Sequence, residues 1–195
     1  MPDVPDMHDR IIDTATSLFV ERGFAGVPMR EISEACGLTK AALYYHFASK
    51  AQLLYAICKE FVDESGAVVQ AAILEGGSSE ERLRRLVRGL FAVPSQRRAI
   101  LRLALHDLEN LDPEDHEEFL GTYRERLTDP VERIFTEGAA NGEFRAFEPE
   151  FLVWFMVGMI YPYFGLPENT SVATGPETVD RLLDVFVDGL KLPAA

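Results

Sequence analysis

Apolar residues recur at three- and four-residue intervals along nearly the whole chain, which is the period of an amphipathic helix. The pattern predicts a first helix from about Met7 to Arg22 and two short helices, Arg30 to Cys36 and Lys40 to His46. A long helix follows, capped by Ser49 and ended by Gly76-Gly77. No repeat and no strand pattern is found. The sequence therefore predicts an all-α fold of about nine helices.

Capping residues and prolines divide the second part of the chain. Ser78 with Glu81 forms a capping box for a helix to about Val93. Pro130 is expected to kink a later helix or to separate two helices, since proline lacks the backbone donor. The other helices are predicted at Pro94 to Leu108, from Asp112-Pro113 to Asn141-Gly142, at Pro149 to Leu166 and at Pro176 to Leu190, with a polar loop from Pro167 to Gly175.

Residues 29–54 read MREISEACGLTKAALYYHFASKAQLL, in which two short helices flank Gly37. This arrangement is a helix-turn-helix, and its second helix is the element that such motifs place in a major groove. That helix and the start of the next carry side chains that can contact phosphates and base edges: Thr39, Lys40, Tyr44, Tyr45, His46 and Lys50. The alternative is a solvated helix whose tyrosines are buried in a core. The motif favours a DNA-binding protein.

The runs SLFVERGF, REISEACGLTKAALYYHF and SKAQLLYAI resemble the DNA-binding domain of the TetR family of bacterial transcriptional regulators. The resemblance extends from Ile11 to Ile57 and implies a dimer with a three-helix head and a divergent ligand-binding body. We expect a helix-turn-helix domain at 1–52 and a ligand-binding and dimerisation domain at 53–195. The resemblance also implies which residues face DNA: Arg30, Thr39, Lys40, Ala41, Tyr44, Tyr45, His46 and Lys50.

The chain departs from the family pattern where the second helix begins. The family often has threonines there, and this chain has Pro28 and Met29. A hydroxyl that would contact a phosphate is therefore missing, and Arg30 is expected to carry more of that contact.

The net charge of −13 does not by itself support a nucleic-acid partner, because phosphate neutralisation needs Lys and Arg. Residues 1–57 hold five basic and seven acidic residues, so only −2 of this charge lies in the expected head. The acidic body weakens loose, sequence-independent binding. Charge neither supports nor excludes an operator-binding protein.

The last two predicted helices carry apolar stripes suited to self-association. Pairing the stripes across a two-fold axis would form a four-helix interface, which is the family's usual arrangement. The alternative is that the stripes pack only inside one subunit. The residues predicted at the dimer interface are Phe151, Phe155, Gly158, Met159, Pro162, Leu182, Leu183, Phe186, Val187 and Leu190.

The body has more aromatic and aliphatic residues than one dimer face needs, so some are expected to line a cavity for a lipophilic small molecule. A filled core is the alternative. Arginines in the region 84–102 can hold an acidic ligand such as an acyl thioester of coenzyme A, or can pair with nearby acids. The residues predicted to line the cavity are Leu90, Leu103, Phe119, Tyr123, Leu127, Trp154 and Tyr161.

We expect no catalytic site, metal or cofactor. His106 and Glu109 lie one helical turn apart without a clear third ligand, and no nucleophile elbow, phosphate loop or dinucleotide fingerprint is found. Two cysteines and the lack of a signal peptide or membrane span fit a reducing cytoplasm. The expected function is a homodimeric repressor that binds a pseudo-palindromic operator and is released by a lipophilic molecule. An all-α dimer that sequesters a metabolite without binding an operator is the alternative.

Overall fold

Helices make up most of the computed structural model, which describes residues 6–164 and 175–192. No strand occurs among these residues, so the predicted all-α fold is confirmed. None of the helices in the described part of the chain is long and apolar enough to cross a membrane. The α-helices are α1 (Met7–Arg22), α2 (Met29–Ala35), α3 (Lys40–His46), α4 (Lys50–Leu74), α5 (Ser79–Ala92), α6 (Ser95–Arg98), α7 (Ile100–His106), α8 (Pro113–Tyr123), α9 (Asp129–Ala140), α10 (Pro149–Phe164) and α11 (Pro176–Leu190).

The chain folds into two compact units. We call Met1–Phe61 with Ala99–Leu120 the head unit, and Val62–Arg98 with Gly121–Ala195 the body unit. The predicted division after residue 52 falls inside α4, and as a division of function it stays a prediction. The sequence pattern did not indicate that α7 and most of α8 belong with the N-terminal helices.

The head unit is built around the buried face of α1. Ile11, Ile12 and Phe19 are buried on that helix, and the apolar side of α7 packs against it. The guanidinium of Arg102 on α7 donates to the carbonyl of Val20 near the end of α1. α7 is therefore a structural part of the unit that carries the helix-turn-helix.

In the body unit α5 packs against α9 and α11, and α10 packs against the same two helices. Phe135 of α9 and Phe186 of α11 meet in this core with ring centroids 6.0 Å apart. The predicted capping box at the start of α5 is confirmed, because Ser78 and Glu81 exchange side-chain-to-backbone hydrogen bonds of 3.1 and 2.8 Å. The body thus has its own four-helix core.

The nine predicted helices correspond to eleven α-helices among the described residues, because two of the predicted helices are interrupted. Around Pro130 a π-helical turn, Arg124–Thr128, joins α8 to α9, and the N–H of Asp129 donates to the carbonyl of Arg124, five residues earlier. In a regular α-helix a proline ring clashes with the carbonyl four residues earlier, and the wider π turn is compatible with Pro130 at this point. The predicted interruption at Pro130 is confirmed.

The other interruption lies at Ala99, between α6 and α7, where one continuous helix was predicted. Alanine is the strongest helix former, so nothing in the local sequence indicates a break. It coincides with the passage of the chain from the body unit to the head unit. The end of the helix predicted to reach Leu166, and the polar stretch Pro167 to Gly175 except its last residue, lie outside the described residues.

Candidate functional site

The turn between α2 and α3 is built around Gly37. Gly37 has a φ of +67°, a conformation that strains any residue with a Cβ. The N–H of Leu38 donates to the carbonyl of Ser33 at 2.8 Å. The hydroxyl of Thr39 accepts from the N–H of Ala42 at 3.1 Å, so Thr39 is the N-cap of α3.

One side of each short helix is fixed in the core of the head unit. Ile32 on α2 and Leu43 on α3 are fully buried. Truncating a buried leucine typically costs about 2–5 kcal/mol, so Leu43 alone ties α3 firmly to the unit. The remaining side chains of α3 are thereby held in a defined orientation.

The opposite side of α3 presents polar and aromatic groups to solvent. Tyr45 is 88% exposed and Tyr44 39%, so burial of these rings in a core is excluded. The ammonium of Lys40 lies 5.6 Å from the centroid of the Tyr44 ring, and the half-buried His46 ring meets that of Tyr45 edge-on. Ala41 is exposed between them and leaves the surface slim. We call Thr39, Lys40, Ala41, Tyr44, Tyr45 and His46 the α3 face.

Arg30 lies at the start of α2, beside the two residues that depart from the family pattern. Its exposed guanidinium is 3.4 Å from the carboxylate of Glu34, one turn along the same helix. Pro28 makes no side-chain cap, and Met29 is buried. The charge of Arg30 is therefore partly offset, though the side chain remains accessible.

Lys50, also predicted to face DNA, has a different environment from the α3 face. Its ammonium donates to the backbone carbonyl of Phe24. The same nitrogen lies 4.1 Å from the centroid of the Phe24 ring and 5.6 Å from that of Phe19. Burial lowers the pKa of Lys50, and the negative charge of Asp107 opposes that change. In this conformation the charge is directed at the turn after α1.

The body unit exposes a second set of aromatic rings, on α10. Phe151 and Phe155 are each 56% exposed and stack with centroids 5.9 Å apart, and Trp154 is 48% exposed. An apolar groove of about 440 Å³ lies between α10 and α11. The residues that line this groove are Phe147, Phe151, Leu152, Phe155, Met159, Leu182, Val185, Phe186, Gly189 and Leu190.

The prediction for the dimer face is wrong at two positions. Leu183 and Val187 are fully buried within the body unit, so they cannot contact a partner. They belong to the inner side of α11, which packs on α5. Phe186 and Leu190 are only 4% exposed, but they line the groove.

The other predicted interface positions are accessible, and the sequence pattern missed Val185. Phe151, Phe155, Gly158 and Pro162 are exposed, whereas Met159 and Leu182 are half-buried. Val185 is 77% exposed and lies three residues after Leu182 and four before Gly189. This helical spacing could have identified the outer stripe of α11. Phe147, in the loop before α10, had no periodic pattern that could identify it.

The seven residues predicted to line a ligand cavity are divided between the two units. Leu103 and Phe119 are buried in the head unit, whereas Trp154 is half-exposed on the outer side of α10. Leu90, Tyr123, Leu127 and Tyr161 belong to the body unit and are half-buried. Burial raises the pKa of Tyr123 to about 12. A cavity lined by these residues stays a prediction.

Most arginines proposed for an acidic ligand pair with neighbouring carboxylates, which was the alternative from the sequence. Arg84 lies 2.8 Å from Glu80 and 2.9 Å from Asp184. Arg88 lies 2.8 Å from Asp180. The carboxylates of Glu75 and Glu64 similarly lie near Arg85 and Arg97.

A capped recognition helix with exposed tyrosines and a lysine, held by a glycine turn, defines the chain as a helix-turn-helix protein. Comparison with known proteins supports the same class of protein. Residues 11–57 match the model of the bacterial regulatory proteins of the tetR family, and residues 76–162 match the model of a tetracyclin repressor-like C-terminal domain.

Three relatives each cover about three quarters of the chain or more. A transcriptional regulator of the TetR/AcrR family from Thermobifida fusca is 30% identical over 96% of this chain and 100% of its own, with a TM-score of 0.69. The repressor KstR2 of Mycolicibacterium smegmatis is 26% identical over 74% of this chain and 72% of its own. AibR, solved with isovaleryl coenzyme A and operator DNA, is 25% identical over 95% of this chain and 98% of its own, with a TM-score of 0.79. The chain belongs to the TetR family and is a DNA-binding transcriptional regulator.

Proposed function

We propose that this regulator is a homodimeric repressor, released from a pseudo-palindromic operator by a lipophilic small molecule. The observation that carries the proposal is the α3 face, where exposed hydroxyl and cationic groups stand on a short helix fixed by its cap and its buried leucine. Such a helix fits a major groove about 12 Å wide. A repressor activity is in line with KstR2, which is named a transcriptional repressor.

Four residues of the α3 face and Arg30 of α2 have a direct part in this proposal. Lys40 reaches a guanine edge or a phosphate, and Tyr44 and Tyr45 offer hydroxyls to phosphates and rings to sugars or thymine methyls. Ala41 leaves room for close approach and can contact a thymine methyl. Arg30 contacts a phosphate from α2. These contacts supply both positioning and base recognition.

The groove in the body unit supports the dimer. Its walls are apolar, and the stacked rings of Phe151 and Phe155 stand at its edge. A second copy of the chain, placed by a two-fold axis, would cover both grooves in one isologous interface. Two heads then read half-sites about 34–36 Å apart, one turn of the duplex.

The effector acts by population shift in this proposal. Some ligands bind more tightly to the state whose head spacing does not fit the operator. Such a ligand lowers operator affinity by at most the ratio of its own affinities for the two states. α4 contributes residues to both units, as α8 also does, so a tilt of α4 can link them. The complex of AibR with isovaleryl coenzyme A and operator DNA supports an organic effector. We propose a lipophilic effector in the body and no catalytic activity, and we place the regulator in the cytoplasm, where its DNA is.

Fluorescence anisotropy with DNA from upstream of the protein's own gene tests the proposal. We expect saturable binding that resists nonspecific competitor and weakens in Tyr45→Ala. Leu74→Ala, at an exposed residue at the other end of α4, is the matched control and should bind as the wild type does. Absence of binding at every salt concentration would instead favour the sequestering protein. Native mass spectrometry of protein from its own cells would identify a retained effector.

A further inference from the structure

Lys50 is the first residue of α4, a position from which a side chain can reach a phosphate, yet its ammonium is bound within the head unit. It donates to the carbonyl of Phe24 and lies against the rings of Phe24 and Phe19. We propose that Lys50 is a positioning residue, which keeps these interactions in the operator complex and does not bind phosphate. This inference rests on the proposed DNA-binding function of the α3 face.

The turn that Lys50 holds determines where α2 begins. Gly23, with a φ of +76°, reverses the chain after α1, and Phe24 is buried with its ring edge-on to Phe19, 5.3 Å between centroids. Arg22 adds a hydrogen bond of 3.0 Å to the carbonyl of Gly26 and an ion pair to Glu31 of α2. Lys50 therefore fixes, through Phe24, the segment that leads into the helix-turn-helix.

Moving Lys50 to a phosphate would break three kinds of interaction. The carbonyl of Phe24 would be deprived of its bond to a cation, a strong type of hydrogen bond. Two aromatic faces would be separated from a cation, an attraction that grows when the cation is partly desolvated. Asp107, which acts electrostatically on Lys50, would no longer have that positive charge nearby. Lys40, by contrast, is exposed on the α3 face beside the Tyr44 ring and can reach a phosphate without such a rearrangement.

NMR of lysine side chains tests the proposal directly. The sequence has only four lysines, Lys40, Lys50, Lys59 and Lys191, so protein labelled at lysine Cε gives four signals that single substitutions can assign. Ring currents of Phe19 and Phe24 should shift the Lys50 methylene protons upfield in the free protein. We expect this shift to persist when a saturating operator duplex is added, while the Lys40 signal moves. Disappearance of the Lys50 shift on DNA binding overturns the proposal.

Salt dependence gives a second, independent measurement. Lys40→Met should lower the slope of log K against log salt by about 0.9 for each phosphate that Lys40 neutralises. Lys50→Met should lower the melting temperature and weaken operator binding with the slope unchanged, and a slope that falls as in Lys40→Met contradicts the proposal. If Lys50→Met does not fold, the NMR measurement on the wild type decides. A wild type that binds no DNA refutes the proposed function, and this inference with it, whereas a mobile Lys50 on bound operator refutes the inference alone.

Discussion

Among the described residues, α3 exposes tyrosine rings and α10 exposes phenylalanine rings, and the groups around the two sets of rings differ. On α3, Tyr44 and Tyr45 carry hydroxyls, and the ammonium of Lys40 lies 5.6 Å from the Tyr44 ring. On α10, Phe155 stacks with Phe151 and with Phe186 of α11, each pair 5.9 Å apart, beside a groove lined by apolar residues.

The two sets of rings suit different partners for physical reasons. The hydroxyls and ammonium of α3 can exchange water for phosphate oxygens and base edges, and charge-assisted bonds of this kind are strong. The phenylalanine rings of α10 offer no such exchange and gain only by leaving water, at roughly 25 cal/mol per Å² of apolar surface. The exposure of an aromatic ring alone therefore does not identify a binding site. The polar atoms next to the ring indicate whether the site suits a nucleic acid or a protein partner.

The largest expected effect comes from placing a charge on the α10 face. Phe155→Glu should abolish the dimer, because a buried carboxylate without a partner is costly. Operator affinity should fall by about 10³-fold or more, toward the range of nonspecific binding. Analytical ultracentrifugation and anisotropy would measure the two effects.

Leu74→Glu is the control for that variant. It places the same charge on another exposed apolar residue, which is 82% exposed and does not line the groove. This variant should remain dimeric and bind the operator. A dimeric, operator-binding Phe155→Glu protein would show that the groove is not the interface.

A smaller effect is expected from the α3 face. Tyr45→Ala should weaken operator binding about 10- to 100-fold, which corresponds to removing an interaction with DNA of about 1–3 kcal/mol. The melting temperature should change little because the side chain is 88% exposed. Tyr45→Phe separates the hydroxyl from the ring. If Tyr45→Ala binds as tightly as the wild type, the ring does not contact DNA.

The head could be predicted from sequence where its structure depends on local interactions. The Gly37 turn needs a positive φ, and Thr39 caps α3 from three residues away, so each is determined within a few positions. Lys50 was placed correctly at the start of α4, but its partner Phe24 lies 26 residues earlier. The destination of a long flexible side chain depends on tertiary contacts that periodicity does not contain.

In the body unit, the sequence pattern predicts an apolar stripe but not the partner against which the stripe packs. The stripe of α11 correctly indicated a helix with one apolar side, but periodicity cannot tell whether that side meets another helix of the same chain or a second subunit. Leu183 faces the core, whereas Val185, outside the stripe, faces solvent. The break at Ala99 likewise had no local indication, because its sequence favours a helix.

Loss of the α3 cap should have a modest effect on both stability and binding. Thr39→Ala removes the acceptor of the Ala42 N–H and should cost about 1 kcal/mol of unfolding free energy. Chemical denaturation measures that decrease. Thr39→Ser keeps the acceptor and should restore most of the stability. If the alanine variant is as stable as the wild type, the hydrogen bond of the cap contributes nothing net.

The smallest expected effect concerns Cys58, which lies in the head unit on α4, away from any exposed surface. Burial, followed by the negative charge of Asp107, raises the pKa of Cys58 to about 12. The thiol of an unfolded chain has a pKa of about 8.5. At a pH between that value and the pKa of the native thiol, the unfolded chain has lost a proton that the native chain keeps. The free energy of unfolding therefore falls as the pH rises through this range. In a Cys36→Ala background, alkylation at a pH of about 8.5 should therefore be slow until denaturant is added, and Cys58→Ala should reduce the alkaline loss of stability. Alkylation of the native protein at the rate of a free thiol would mean that α4 opens readily at this position.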